Sequence, residues 1–353
     1  MPTNCQARIA PGEASFSVCV LGGTPNHDGQ PVELNAVPLL RLGILTLGPL
    51  GLIASSYALT LSHSASENRA AAAFTVQVEE AAARSAKAQA NEQVILSEAC
   101  TLAAQELLPR LPGGCHTLIR APFVLAGDMS VDELEAVHRD AILPVASALW
   151  RSYFDRQPDQ PILLVLMRSE ESFNAAAQQL DGYEPRSYSG YYHRAERRVV
   201  VNLGTGQGTL AHELTHALAQ FDFPKMPEWF DEGLAALHEE TEFTPDGLQL
   251  VGVNNWRLKL IPEALRADQL PPLETLIRTQ SFRGEGEGIN YAMVRGFCRY
   301  LQDRGLLCHF YRKFKSRVQD DPSGLSTLCE LLGKQSCKEV DESFRNWVRE
   351  QRW

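Results

Sequence analysis

Positive charge is in short supply in this chain. Its 33 Lys and Arg are outnumbered by 43 Asp and Glu, giving a formal net charge of −10, and no basic cluster offsets the balance. A face that neutralises phosphates needs the opposite, so nucleic-acid binding is excluded as the main function. The eight cysteines include no C-x-x-C pair, which removes the usual spacing of a cysteine-held metal or a dithiol redox site. A Gly-rich phosphate loop, a G-x-S-x-G turn and a catalytic-cysteine signature are also missing. So is any internal repeat.

What is present suits a globular protein: 353 residues, 44% apolar and 22% charged, enough for one large or two medium domains. One long uncharged run stands out, Leu42 to Ser62. It is about as long as a hydrocarbon core is thick. The expected organisation is therefore a disordered tail over 1–37, then a transmembrane signal anchor or signal peptide over 38–62. A helical linker or stalk over 63–110 and a compact domain over 111–353 follow. Contact with the membrane falls on residues 42–62, and the compact part is expected to be exported to the cell envelope, or secreted if the run is cleaved. An oxidising compartment permits disulfides, and Cys100–Cys115 and Cys329–Cys337 are the pairs that local loops close most easily.

In the compact region, strands come first and helices afterwards. "HTLIRAPFVLAG" (His116 to Gly127) reads as a strand bent at Pro122, and "PILLVLM" as a central strand. The segment opened by Ser130 and Glu133 has capping-box spacing and continues as one amphipathic helix through Phe154. Ser169 caps another helix. "SGYYHRAERRVVVNL" reads as two strands around a polar turn. Beyond Asn254 the pattern is mostly helical. That order predicts an α+β domain: a small mixed sheet, then a helix carrying the chemistry, then a mostly helical C-terminal part. Trp150, Trp229, Trp256 and Trp347 are expected in cores.

The chemistry centres on "GTLAHELTHALAQ" (Gly208 to Gln220). Residues four apart share a helix face, so His212 and His216 can offer imidazole nitrogens to one cation. Glu213 sits about 100° further round the helix, beside such an ion rather than on it. That is the place for a general base acting on a metal-activated water, and His-Glu-x-x-His is a metallopeptidase signature for this reason. A catalytic zinc takes a third protein ligand, and three carboxylates compete: Asp222, Glu228 and Glu232. Asp222 would need a sharp turn three residues after His216, where Ala219 stands instead of glycine. Pro224 and Pro227 end the first helix and let the next fold back, bringing either glutamate within reach.

"HELTH" followed by "PEWFDEGLAALHE" resembles the gluzincin peptidases of the peptidase MA-like superfamily, whose second helix carries a Trp-x-x-Glu-Gly-x-Ala pattern. Here that pattern falls on Trp229, Glu232, Gly233 and Ala235. From about Val124 to Tyr311 the chain is also similar to a branch of bacterial peptidase-like proteins. The resemblance implies a zincin-like fold, Zn2+ held by His212, His216 and Glu232, and a small Gly233 that lets helices approach closely. It makes Glu228 an exposed first-turn residue. It further implies a peptide or protein substrate cleaved with Glu213 as general base. Tyr291, behind the Gly-rich loop Arg283 to Gly288, is the candidate oxyanion donor, with Tyr192 and His193 as alternatives. Asp231 and Glu239 are candidates to orient the histidine ligands, and an extended peptide could add to the strand before the motif. Competing expectations are a catalytically silent, zinc-stabilised envelope interaction module and a hydrolase of a non-peptide amide.

Overall fold

The computed structural model describes residues 65–183, 185, 188–279, 282 and 286–351. The chain divides into two units, Met1–Val78 and Glu79–Trp353, and the second carries the sheet and the motif. The expected tail over 1–37 and apolar segment over 38–62 lie outside the described residues. Among the described residues no helix is long and apolar enough to cross a membrane. This corrects the expectation of a membrane anchor and of an anchored, envelope location. The longest helix, α1 (Ala65–Leu107), has the length but not the composition, since it carries Glu79, Glu80, Arg84, Lys87 and Glu92.

The second unit is a mixed α+β structure, mostly helical around a small sheet. Its five strands are β1 (His116–Arg120), β2 (Phe123–Gly127), β3 (Ile162–Met167), β4 (Gly190–His193) and β5 (Arg198–Asn202), in the order β1-β2-β3-β5-β4. β2, β3 and β5 run parallel, while β1 and β4 are antiparallel to their neighbours. The apolar run of β3 is central, as a strand covered on both faces should be. The expected bent strand is instead a tight hairpin that pairs Arg120 with Phe123. Pro122 lacks an N–H and fixes its φ, so the chain reverses there rather than continuing a ladder.

The helix expected after Ser130 also departs from a single rod. Ser130 and Glu133 do form the capping box. However, α2 (Val131–Val137) passes through one wide turn, His138–Ile142, before α3 (Leu143–Ser152). Pro144 in the first turn of α3 can neither donate to nor fit against the carbonyl four residues back, and widening the turn relieves that conflict. α4 (Glu170–Asp181), capped by Ser169, covers one sheet face with Phe173, Ala176 and Ala177 against Ala126, Val165, Met167 and Val200.

The opposite face packs against the helix that holds the motif, α5 (Gln207–Asp222). Leu210, Leu214, Ala217 and Leu218 bury against Leu125, Leu164, Leu166, Val199 and Val201. α6 (Glu228–His238) follows. A small hairpin comes next, β6 (Thr241–Phe243) with β7 (Leu250–Gly252), around an Asp246-Gly247 turn. The remaining helices are α7 (Leu260–Arg266), α8 (Leu273–Arg278), α9 (Glu287–Asp303), α10 (Leu307–Arg317), α11 (Leu325–Leu332) and α12 (Cys337–Glu350).

α6 is anchored by aromatics. Trp229 and Phe230 are fully buried among Phe297, Phe310 and Phe314, and Trp229 Nε1 donates to the Ser323 carbonyl at 3.0 Å. Gly233 does permit a close helix approach. A Cβ there would stand 2.9 Å from both Cys298 Sγ and the Val294 carbonyl, so the tight contact is with α9, not α5. Trp256 is not a core residue: it is 58% exposed, with the Arg257 guanidinium 4.5 Å over its ring. The six described cysteines are free thiols, so neither expected disulfide forms. Cys100 instead packs against Val124 under α1.

Candidate metal centre

α5 and α6 bring three of the predicted residues together. His212 Nε2 and His216 Nε2 are 3.2 Å apart, and Glu232 Oε2 lies 3.5 Å from the first and 3.6 Å from the second. Four-coordinate zinc with bonds of 2.0–2.1 Å has ligand-to-ligand edges of about 3.3–3.4 Å, so this donor triangle has the right size as it stands. The donor types fit as well: two imidazole nitrogens and one carboxylate oxygen. Glu232 Oε2 is buried and accepts no hydrogen bond, an arrangement that a cation would compensate. Among the described residues no other group of His, Cys, Asp or Glu converges in this way.

The groups of this cluster act strongly on one another. Burial lowers the affinity of His216 for a proton, but the carboxylates of Asp231 and Glu232 outweigh it and hold the imidazole well above its ordinary range. Burial raises Glu232, and the histidines, His216 foremost, reverse that and hold it well below the usual carboxylate range. Asp231 lies behind His216. Its Oδ1 lies 3.0 Å from His216 Nδ1, the nitrogen away from the triad, and its Oδ2 accepts from Arg194. A carboxylate behind a ligating histidine fixes its ring and strengthens it as a donor. If the triad holds zinc, as proposed below, Asp231→Asn should weaken that affinity by about 10–100-fold without unfolding the protein, read by competition against a chromogenic chelator. Unchanged affinity would remove Asp231 from this role.

Glu213 is 7% exposed and borders the same cleft, a cavity of about 300 Å³. It is reached by β4, where Gly190 passes so close that a Cβ would stand 3.3 Å from Glu213 Cγ and 2.6 Å from Thr209 Cγ2. Any larger residue at 190 would lift the strand from α5. Tyr291, in the first turns of α9, also borders the cleft, with Arg257 5.6 Å above its ring. Tyr192 lines it too, its hydroxyl donating to Gln220. His193 does not; its Nε2 turns toward Asp181 at 3.8 Å.

The other carboxylates divide clearly. Asp222 is buried away from the triad, accepting from the Asp155 and Arg156 amides, the Tyr311 hydroxyl and Lys315. It ties α5 to α10 and to the loop after α3. Glu239 bonds Arg257 at 3.1 Å rather than a histidine. Glu228 is not a solvated first-turn residue. It is half-buried in the cleft, and burial, then Glu232 and Asp231, push its carboxyl above the ordinary value. Arg194 and Arg257 were not singled out in the sequence. For Arg194 the polar turn between two strands was the available signal; for Arg257 there was none.

Of the remaining histidines, His238 is 1% exposed against the Tyr153 hydroxyl, and burial pushes it down to about 3. Its folded value lies below the unfolded one, so it opposes folding as pH falls from about 6.5 toward 3 and is neutral in effect above that window. His238→Gln should flatten the acid limb of a stability-against-pH curve there by up to about 1.4 kcal/mol per pH unit, measured by urea denaturation. An unchanged slope would mean that the imidazole protonates while folded.

Compared with protein-family models and with curated proteins, the chain matches none.

Proposed function

We propose that this protein is a zinc-dependent hydrolase of peptide bonds, with the metal held by His212, His216 and Glu232 and with Glu213 as general base. The observation that carries the reading is the donor triangle, whose edges of 3.2, 3.5 and 3.6 Å match a zinc site before any ion is placed. Bordering it are a buried glutamate that is not one of the three donors and a phenol on a separate helix. A structural metal has no use for either. The arrangement also supports the zincin-like fold expected from the resemblance: a sheet whose outer strand borders the cleft, the His-Glu-x-x-His helix beneath it, and the glutamate helix behind.

Bound zinc would supply Lewis acidity, polarising a scissile carbonyl and easing ionisation of water toward neutral pH. The chain's own groups do the rest. β4 ends the sheet and presents Gly190 to Tyr192 to the cleft, so an extended substrate can be aligned by main-chain hydrogen bonds. Glu213 takes the proton from the attacking water as the new C–O bond forms, then gives it to the amine as the C–N bond breaks. The Tyr291 hydroxyl donates to the carbonyl oxygen as charge builds there. Asp231, braced by Arg194, keeps His216 oriented.

The test is metal content together with hydrolysis of a peptide library. One zinc per chain, cleavage abolished by a chelator and restored by zinc, is the expected result. A protein that purifies without bound metal and takes up none on titration would sink the proposal.

A further inference from the structure

The cleft is more negative than its metal chemistry requires. Six carboxylates line it: Glu213, Glu228, Asp231, Glu232, Glu239 and Glu287. Among the described residues the basic side chains that face them are Arg194 and Arg257, and both are engaged, with Asp231 and Glu239. Even with a divalent ion among His212, His216 and Glu232, the described lining residues keep a net negative charge. Each carboxylate but one has an assignment. Glu232 belongs to the triad, Glu213 stands beside it, Asp231 and Glu239 hold arginines, and Glu287 accepts from the Tyr188 hydroxyl at 3.2 Å.

Glu228 is the exception. It forms no hydrogen bond or ion pair with any described residue, although it is half-buried and lies one helical turn from Glu232 on the same face of α6. One turn is about 5–6 Å, roughly the distance from a scissile carbonyl to the neighbouring residue of a substrate. Removing a carboxylate from water without a partner costs free energy, and a cation brought by a substrate returns it.

We propose that Glu228 is a specificity residue that receives a positively charged group of the substrate, an ammonium or guanidinium next to the scissile bond. This rests on the hydrolase reading for its place beside the reaction, but not for the binding itself. Two sources could supply that cation: a Lys or Arg side chain, or the free amino terminus of the peptide. Burial and the carboxylates of Glu232 and Asp231 raise the proton affinity of Glu228 by more than Arg194 and His216 lower it, which agrees with a carboxylate that no neighbouring cation pairs directly.

The experiment uses the full chain loaded with zinc. The probes are internally quenched peptides that differ only in Lys against norleucine at positions flanking the cleaved bond, each with a free and an acetylated amino terminus. Binding is measured by calorimetry on the Glu213→Gln protein and cleavage on the wild type, each with and without Glu228→Gln or Glu228→Lys; Glu274→Gln, on the remote helix α8, controls for net charge. Charged peptides should bind and react roughly tenfold or more better than neutral partners. Glu228→Gln should collapse that ratio, chiefly through KM, and Glu228→Lys should invert it, while Glu274→Gln leaves it intact. Whether acetylation or norleucine abolishes the preference identifies the source of the cation. Equal binding of charged and neutral peptides, or a preference that survives Glu228→Gln, overturns the inference. Cleavage without charge preference would then leave the hydrolase reading standing, whereas charge-dependent binding without cleavage would do the reverse.

Discussion

Glu213→Gln should lower kcat/KM by roughly two to four orders of magnitude while the protein keeps its zinc. The amide has nearly the size of the carboxylate but cannot accept the proton of the attacking water. Glu213 is not among the three converging donors, so removing its charge leaves the triad intact. Its place beneath Gly190, where β4 crosses α5, favours the isosteric change over Ala, since a cavity there would let the strand settle. Two measurements taken together decide the matter: steady-state hydrolysis of a cleaved peptide and zinc stoichiometry on the same preparation. Full activity would dismiss Glu213 as the base, and loss of zinc would make it a ligand.

Glu232→Ala is the second large effect. The triangle of donors loses one corner, and with it the carboxylate that balances the charge of a dication. Zinc affinity should drop by well over the roughly 10–100-fold expected for losing a supporting residue, and activity should fall with it. Stability should respond differently in the two forms of the protein. With metal, the wild type should gain thermal stability that the variant lacks, because a ligand bound only to the native state shifts its unfolding. Without metal the variant loses the attraction between Glu232 and the two histidines, which outweighs the cost of burying the carboxylate, so it should be no more stable than the metal-free wild type. Glu228→Ala is the matched comparison on the same helix and should keep the metal. A variant at Glu232 that retains wild-type zinc affinity, with Glu228→Ala losing it, would transfer the ligand role to Glu228.

The carboxylates show where sequence reading stops. His212 and His216 could be paired from spacing alone, because a helix fixes the relation of residues four apart. Glu228 and Glu232 obey the same rule relative to each other, so spacing makes them equivalent. What separates them is how far α6 slides along its axis, and that is set by Trp229 and Phe230 filling the space among Phe297, Phe310 and Phe314. Asp222 illustrates the same limit. Its partners come from the loop after α3 and from α10, residues 66 to 93 positions away, and no local pattern announces them.

Several departures had local causes that were legible. Pro122 turned a bent strand into a hairpin, and Pro144 widened a helix turn. The Asp246-Gly247 pair marked the β6–β7 hairpin that the sequence reading passed over, Gly247 taking the positive φ that such a turn favours. Trp256 misled for the opposite reason: a large aromatic is more often buried, but here it lies on the surface beneath Arg257.

By itself the sequence determined the α+β order of elements, the central strand, the two helices of the centre and the pairing of His212 with His216. Each follows from hydrophobic period, capping or helix pitch, all of which act over a few residues. Only the tertiary structure decided that Glu232 closes the triangle, that Asp231 stands behind His216 and that Glu228 is left in the cleft with no hydrogen bond or ion pair to a described residue. Those outcomes depend on how helices slide and rotate against one another, and that is fixed by packing between residues far apart in the chain.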